Sequence, residues 1–293
     1  MSVLPSRSNW WTETELHEYL VVDVFSARPL EGNQLGVFLD GRALHSRDML
    51  RLAREMNFAE TVFLLPPARD GDVALRIFTP GGELPFAGHP VLGSAFVVAT
   101  ALGTDSVRLE TGAGPIPVAL ERTDGKLTFG AMQQPIPRPE PFEPAPALLS
   151  ALGVGRSTLP VEVYRNGPAH VYVGLSSPQA VAELRPDMGQ LADLGVAANC
   201  FAGQGRAWKT RMFFPAGGVY EDAATGSAAG PLAIHLARHG QIEFGQEIEI
   251  RQGEEINRPS LLYARATGTP RGIESVEVGG SAQIVAHGRF RVR

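Results

Sequence analysis

A single cysteine, Cys200, occurs in 293 residues. It excludes a disulfide framework within the chain and any multi-thiolate zinc site, and it limits thiol chemistry to one sulfur. Basic runs are missing too. Lys and Arg total 26 against 31 Asp and Glu, a formal net charge of −5. The chain therefore lacks the electrostatic footprint of a nucleic-acid binder. No stretch approaches the roughly 18 apolar residues of a membrane span. Residues 1–19 lack the basic start and apolar core of a secretory signal, so a cytoplasmic protein is expected. There is no Walker A string and no G-x-G-x-x-G fingerprint, which leaves nucleotide binding unsupported.

What is present is ordinary globular composition, with 44% hydrophobic and 19% charged residues. The length fits one large domain or two small ones, ample to bury a core without a staple. The 33 Gly and 23 Pro are dispersed, a pattern of many turns joining short strands. Residues 19–25 and 34–39 read as a hairpin with a longer loop. Residues 46–57 read as a helix with Ser46 as N-cap. Strands are expected at 61–65, 73–78, 106–110, 115–122 and 126–132. Residues 91–102, apolar nearly all round and ending at Gly103, predict a helix buried on every side. Six prolines in residues 134–146 forbid regular structure on this reading and mark a linker or crossing segment. Beyond it, helices are expected at 146–152, 177–184 and 227–239. Strands are expected at 161–165, 170–174, 195–202, 210–214, 247–252, 260–267, 274–279 and 288–292.

The two halves echo each other. Arg76-Ile-Phe78-Thr-Pro80 matches Arg211-Met-Phe213-Phe-Pro215, 135 residues later. A glycine pair follows each, Gly81-Gly82 and Gly217-Gly218. Acidic residues come next, Glu83 in one half and Glu221 and Asp222 in the other. Each loop then opens an apolar helix. An ordered series of this kind predicts internal duplication, with two α+β lobes facing their matching loops toward one cleft.

Each loop delivers glycine-rich backbone to a helix N-terminus, Gly88-His89-Pro90 and Thr225-Gly226-Ser227. Free N–H groups and the positive dipole end favour an anion there, such as a carboxylate. Glu60 ends the turn Asn57-Phe58-Ala59-Glu60 and precedes an apolar strand, a position that aims its carboxyl at a strand end. A carboxylate in an apolar cleft has a raised pKa and can shuttle protons, and His89 and Asp222 are the other titratable candidates. On the residues alone each has a plainer alternative. Glu60 reads equally as a solvated turn residue, His89 as a cap, and Asp222 as a capping acid. His235 and His239 have i, i+4 spacing without an H-E-x-x-H carboxylate, so surface or capping roles are expected rather than metal. Ser227 is not in a G-x-S-x-G elbow and reads as a helix-start serine. Cys200 is expected to be an inert buried thiol. Trp208, Lys209 and Arg211 either favour an anionic substrate or lie on the surface beside a strand.

The strings Asn57-Phe-Ala-Glu60, Pro85-Phe-Ala-Gly-His-Pro90 and Glu221-Asp-Ala-Ala-Thr-Gly-Ser-Ala-Ala-Gly230 resemble the phenazine-biosynthesis-like isomerase family. Residues 30–33, 51–57, 164–174, 199–205 and 222–245 extend the resemblance to its phenazine-forming members, over about five-sixths of the chain. The resemblance implies an α+β, diaminopimelate-epimerase-like fold. Two pseudo-symmetric lobes each curl a mostly antiparallel sheet around a central buried helix. Residues 6–18, polar apart from Trp10, Trp11 and Leu16, make 1–18 read as an extension, and with the proline-rich crossing segment at 134–146 as boundary the two lobes are expected at 19–133 plus 280–293 and at 147–279. The resemblance implies a homodimer that acts on a small molecule, with no nucleic-acid or membrane partner.

The implied activity is a cofactor-free and metal-free isomerisation of trans-2,3-dihydro-3-hydroxyanthranilate to its ketone isomer. Glu60 would be the acid/base, taking a proton from the ring carbon that bears the hydroxyl and returning one elsewhere on the diene. His89 and Asp222 would hold the substrate's polar groups and assist proton movement. Gly88, Gly226 and Ser227 would lie near its carboxylate. Related epimerases carry a cysteine pair where this chain has Gly88 and Thr225, so two-thiol racemisation is ruled out by composition. Isomerisation or epimerisation of another small amino or hydroxy acid is the same-fold alternative. A non-catalytic carrier of a phenazine precursor is the other.

Overall fold

The computed structural model describes residues 16–292, so Trp10 and Trp11 of the expected extension lie outside the described residues. The first strand, β1 (Leu16–Val24), starts before Tyr19, where the sequence pattern becomes regular. It pairs antiparallel with β2 (Asn33–Phe38), from Tyr19↔Phe38 to Val24↔Asn33, which makes the expected hairpin. The helix α1 (Ser46–Met56) carries the chain to β3 (Glu60–Leu65), parallel to β2. Its N-cap is His45 and not Ser46. The Ser46 hydroxyl instead accepts a hydrogen bond from Arg76 Nη2 at 3.0 Å. Two antiparallel strands follow, β4 (Val73–Phe78) and the short β5 (Glu83–Leu84). The helix α2 (Gly88–Leu102) leads to the meander β6 (Ser106–Thr111), β7 (Gly114–Thr123) and β8 (Lys126–Gln133).

The proline-rich segment is not irregular throughout. Arg138–Pro141 forms β9, and Ala145 already belongs to α3 (Ala145–Leu152). Pro139 and Pro141 fall on alternate positions of β9, which among the described residues pairs with one neighbour only, so missing N–H groups cost the ladder little. That neighbour is β10 (Glu162–Arg165), which also pairs antiparallel with β11 (Ala169–Gly174). The expected helix at 177–184 shrinks to α4 (Pro178–Ala182), capped by Ser177. A helix not foreseen, α5 (Met188–Leu194), follows, with Asp187 as its N-cap. Then come β12 (Ala197–Gln204), β13 (Ala207–Phe214), β14 (Val219–Asp222) and α6 (Gly226–Arg238). A second meander closes the chain with β15 (Glu247–Gln252), β16 (Ser260–Thr269) and β17 (Gly272–Gly280), before β18 (Ala282–Arg291).

The pairings repeat in order. β2–β3 and β11–β12 are parallel across helical crossovers, and β4–β6 and β13–β15 are parallel across the buried helices. After each meander the next strand crosses over. β9 joins β10 of the second series, and β18 joins β1 of the first. With β8 paired to β17, all eighteen strands of the described residues form one mixed sheet curled around α2 and α6. The result is the expected α+β class. α2 is buried from Gly88 through Ala99, and α6 from Gly226 through Ala237. Helices with an apolar surface all round need such a wrapping sheet.

The duplication extends to side chains. Arg76 lies 5.1 Å over the Phe78 ring and pairs with Glu83, and Arg211 lies 4.9 Å over Phe213 and pairs with Glu221. The environments differ, since Arg76 is 29% exposed and Arg211 only 6%. Arg211 Nη1 also donates to the carbonyls of Ala182 and Leu184 at the end of α4. Arg76→Leu is therefore expected to cost under about 1 kcal/mol, as for a surface pair. Arg211→Leu strands Glu221 and is expected to cost about 3 kcal/mol. Urea denaturation of both variants checks this, and equal losses would contradict it.

Candidate active site

The starts of α2 and α6 meet backbone to backbone. A Cβ on Gly88 would lie 2.5 Å from Gly226 C and from Ser227 N. A Cβ on Gly226 would lie 2.9 Å from the Phe25 ring and 3.1 Å from His89 N. Only glycine allows this approach at both positions. Pro90 falls in the first turn of α2, where no intrahelical N–H is needed. Among the described residues, no protein acceptor takes the N–H of Gly88, His89, Gly226 or Ser227. Two positive helix ends thus converge on one place, a ready anion site.

That place lies in a cavity of about 720 Å³ lined by Glu60, Gly88, His89, Asp222, Gly226 and Ser227. Val163, Val171, Met212 and Phe214 supply apolar wall. Glu60 is the first residue of β3, and Asp222 is the last of β14, so two strand ends bring the carboxyls to the helix starts. His89 is the second residue of α2.

Desolvation sets the protonation states. Burial, and behind it the charge of Asp222, pushes the Glu60 carboxyl up to about 8. The Glu60 side chain is still 17% exposed, enough to reach a ligand. Burial also raises Asp222, to about 6, against hydrogen bonds from Thr225 and Asn33 that favour its charged form. Thr225 Oγ1 donates to Asp222 Oδ2 at 2.7 Å, and Asn33 Nδ2 donates to Oδ1 at 2.8 Å. Near neutral pH the pair therefore holds one proton, mostly on Glu60. Burial drives His89 down to about 3, opposed by a backbone hydrogen bond with Gln34. Its Nε2 faces Glu60 Oε2 at 3.4 Å and has no other partner among the described residues. With the ring neutral, this contact is not an ion pair.

The start of α6 is held by residues that the sequence did not single out as site residues. Pro231 within α6 has no N–H for the Ser227 carbonyl, and Asn166 Nδ2 donates to that carbonyl at 2.8 Å instead. Gln134 Nε2 donates to the Gly226 carbonyl at 2.8 Å. His170 Nε2 lies 2.9 Å from the Ser227 hydroxyl. Asn33 sits in what reads as turn sequence, Asn166 in the turn between two strands and His170 in ordinary strand sequence, so only the fold brings them here.

The remaining candidates lie elsewhere. Lys209 is bonded to Glu254 and to Glu255, Arg211 to Glu221, and Trp208 is core, so these three are neither surface residues nor cavity residues. Cys200 is buried, and burial pushes its thiol up to about 12, as expected of an inert group. His239 caps α6, but His235 is not a surface residue. It is fully buried and stacked on Tyr172. Glu162, His235 and His239 bring potential ligand atoms within 4.8 Å of one another. Arg238 Nη1 already lies 2.8 Å from the Glu162 oxygen that both histidines face, and Tyr164 donates to it at 2.8 Å. The guanidinium occupies the cation's place in this cluster. No helix among the described residues is long and apolar enough to cross a membrane.

Comparison with known proteins gives a consistent result. A family model described as phenazine biosynthesis-like protein matches residues 22–288. The trans-2,3-dihydro-3-hydroxyanthranilate isomerase of Pseudomonas aeruginosa is 55% identical over 275 residues, 94% of this chain and 99% of that one. The crystal structure of a Bacillus anthracis phenazine biosynthesis protein superposes with a TM-score of 0.82 at 22% identity, covering 94% of this chain and 99% of that one. A hydroxyproline epimerase from Agrobacterium vitis superposes with a TM-score of 0.65 at 13% identity, covering 94% and 91% of the two chains. The last two likenesses concern the fold alone.

Proposed function

The chain belongs to the phenazine biosynthesis-like protein family, and from that premise we propose that it isomerises trans-2,3-dihydro-3-hydroxyanthranilate to its ketone isomer. The observation that carries the mechanism is Glu60, a desolvated carboxyl beside two helix starts in an apolar cavity. The substrate carboxylate binds the N–H groups of Gly88, Gly226 and Ser227. This pins the flat ring so that the carbon bearing the hydroxyl faces Glu60. In its ionised form Glu60 takes the proton from that carbon, and the electron pair moves into the conjugated system. Glu60 then returns a proton at the far end of the diene, and the resulting enol becomes the ketone. Atoms balance without a co-reactant. A carboxyl with a pKa near 8 suits both halves, since it is a stronger base than a solvated one and readily reprotonates carbon. His89 and Asp222 hold the hydroxyl and amino groups and accept proton density as charge moves.

The test is to incubate the purified protein with the substrate in deuterated water. Loss of the substrate's ultraviolet band, with deuterium incorporated at carbon in the product, is expected. Stoichiometric binding with no spectral change would instead support a carrier.

A further inference from the structure

Ser227 and His170 both line the cavity, and the contact between them fixes which way the Ser227 proton points. His170 on β11 is buried and places Nε2 2.9 Å from Ser227 Oγ. Its other ring nitrogen, Nδ1, lies 3.3 Å from Asn199 Nδ2. The orientation of the Asn199 amide is set in turn, because Nδ2 also donates to the Ala197 carbonyl at 3.2 Å. An amide NH₂ can only donate. His170 Nδ1 therefore accepts, and the ring proton of the neutral imidazole sits on Nε2. Burial keeps the ring neutral by lowering it to about 4.

We propose that His170 is a positioning residue for substrate binding: as the Nε2–H tautomer set by Asn199, it donates to Ser227 Oγ and leaves the Ser227 proton free to donate to the substrate carboxylate. The direction of this bond is the reverse of a nucleophilic serine relay, in which the imidazole would accept the hydroxyl proton. The arrangement creates a donor for an anion, and it does so beside the free N–H groups of Gly226 and Ser227. A serine with no partner would divide its proton among several rotamers, and an accepting histidine would turn the oxygen lone pairs toward the anion. The inference rests on the reading that the helix starts hold a carboxylate.

Two measurements test it. In the ligand-free protein, long-range ¹⁵N–¹H spectra of ¹⁵N-histidine-labelled chain, assigned with His170→Gln, are expected to show His170 protonated on Nε2 at neutral pH. Protonation on Nδ1 would overturn the proposal. Calorimetric binding of anthranilate, a stable aromatic carboxylate, then reads the coupling. His170→Leu is expected to weaken binding about tenfold. His170→Gln, whose amide can still donate to Ser227, is expected to stay within about threefold of the parent. In a Ser227→Ala background His170→Leu is expected to add less than about twofold, because the group it positions is gone. Losses that multiply in the double variant, or a Gln variant as weak as the Leu variant, would reduce His170 to a packing residue. A parent chain that does not bind anthranilate would instead remove the carboxylate reading itself.

Discussion

Glu60→Gln is expected to lower kcat by about 10³-fold or more while leaving anthranilate binding within a few-fold of the parent. General acid–base catalysis contributes roughly 10²–10⁴-fold, and Glu60 is asked to serve both ends of the proton transfer. The amide keeps the size and polarity of the side chain but cannot take a proton from carbon. In the parent, kcat/KM is expected to rise with pH up to about 8, because the base acts in its ionised form and burial holds its proton until then.

Stability moves the other way. Between the ordinary value of 4.5 and about 8, the unfolded chain has released the Glu60 proton and the folded chain has not. The folded state then binds more protons, so its stability falls as pH rises through that window. Glu60→Gln carries no such penalty, and its melting temperature is expected to overtake the parent's increasingly from pH 5 to pH 9. His89 and His170, both lowered by burial, destabilise parent and variant alike as pH falls below 6.5, so they cancel in the difference. Turnover within tenfold of the parent, or a melting difference independent of pH, would contradict this assignment.

Gly88→Ala is expected to abolish activity, with kcat/KM down by more than about 10³-fold and stability down by about 2–3 kcal/mol. The added methyl meets main chain, Gly226 C and Ser227 N at 2.5 Å, so no change of rotamer relieves it. The two helix starts must separate, and the N–H groups that define the anion site separate with them. A misplacement near 1 Å is enough to cost about 10²-fold in a positioned reaction. Gly82→Ala is the matched control, because nothing lies within 4 Å of its added carbon. It is expected to behave as the parent in both kinetics and urea denaturation. Comparable behaviour of the two variants would mean that the close approach of α2 and α6 does not hold the site.

Much of the fold can be read from residues whose pattern is local. The apolar string from Val91 to Leu102 and the closing Gly103 specify α2, and the repeated Arg-x-Phe strands specify the duplication. The errors arise where long-range pairing overrides local preference. Pro139 and Pro141 oppose a strand in isolation, yet β9 exists because β10 offers an edge that needs few of its N–H groups. Lys209 and Arg211 look like solvent residues until their glutamate partners arrive from β14 and the turn after β15. The same limit applies to the site. Glu60, Gly88 and Gly226 announce themselves by strand-end and helix-start positions. Asn33, Asn166 and His170 act through partners 189, 61 and 57 residues away, which no spacing rule connects.

A crystal structure of the protein with anthranilate bound tests the central claim most directly. The account predicts the carboxylate within hydrogen-bond reach of the main-chain N–H groups at Gly88, Gly226 and Ser227, with the ring between those groups and the Glu60 carboxyl. A carboxylate held away from the helix starts, with Glu60 out of reach of every ring carbon, would contradict it.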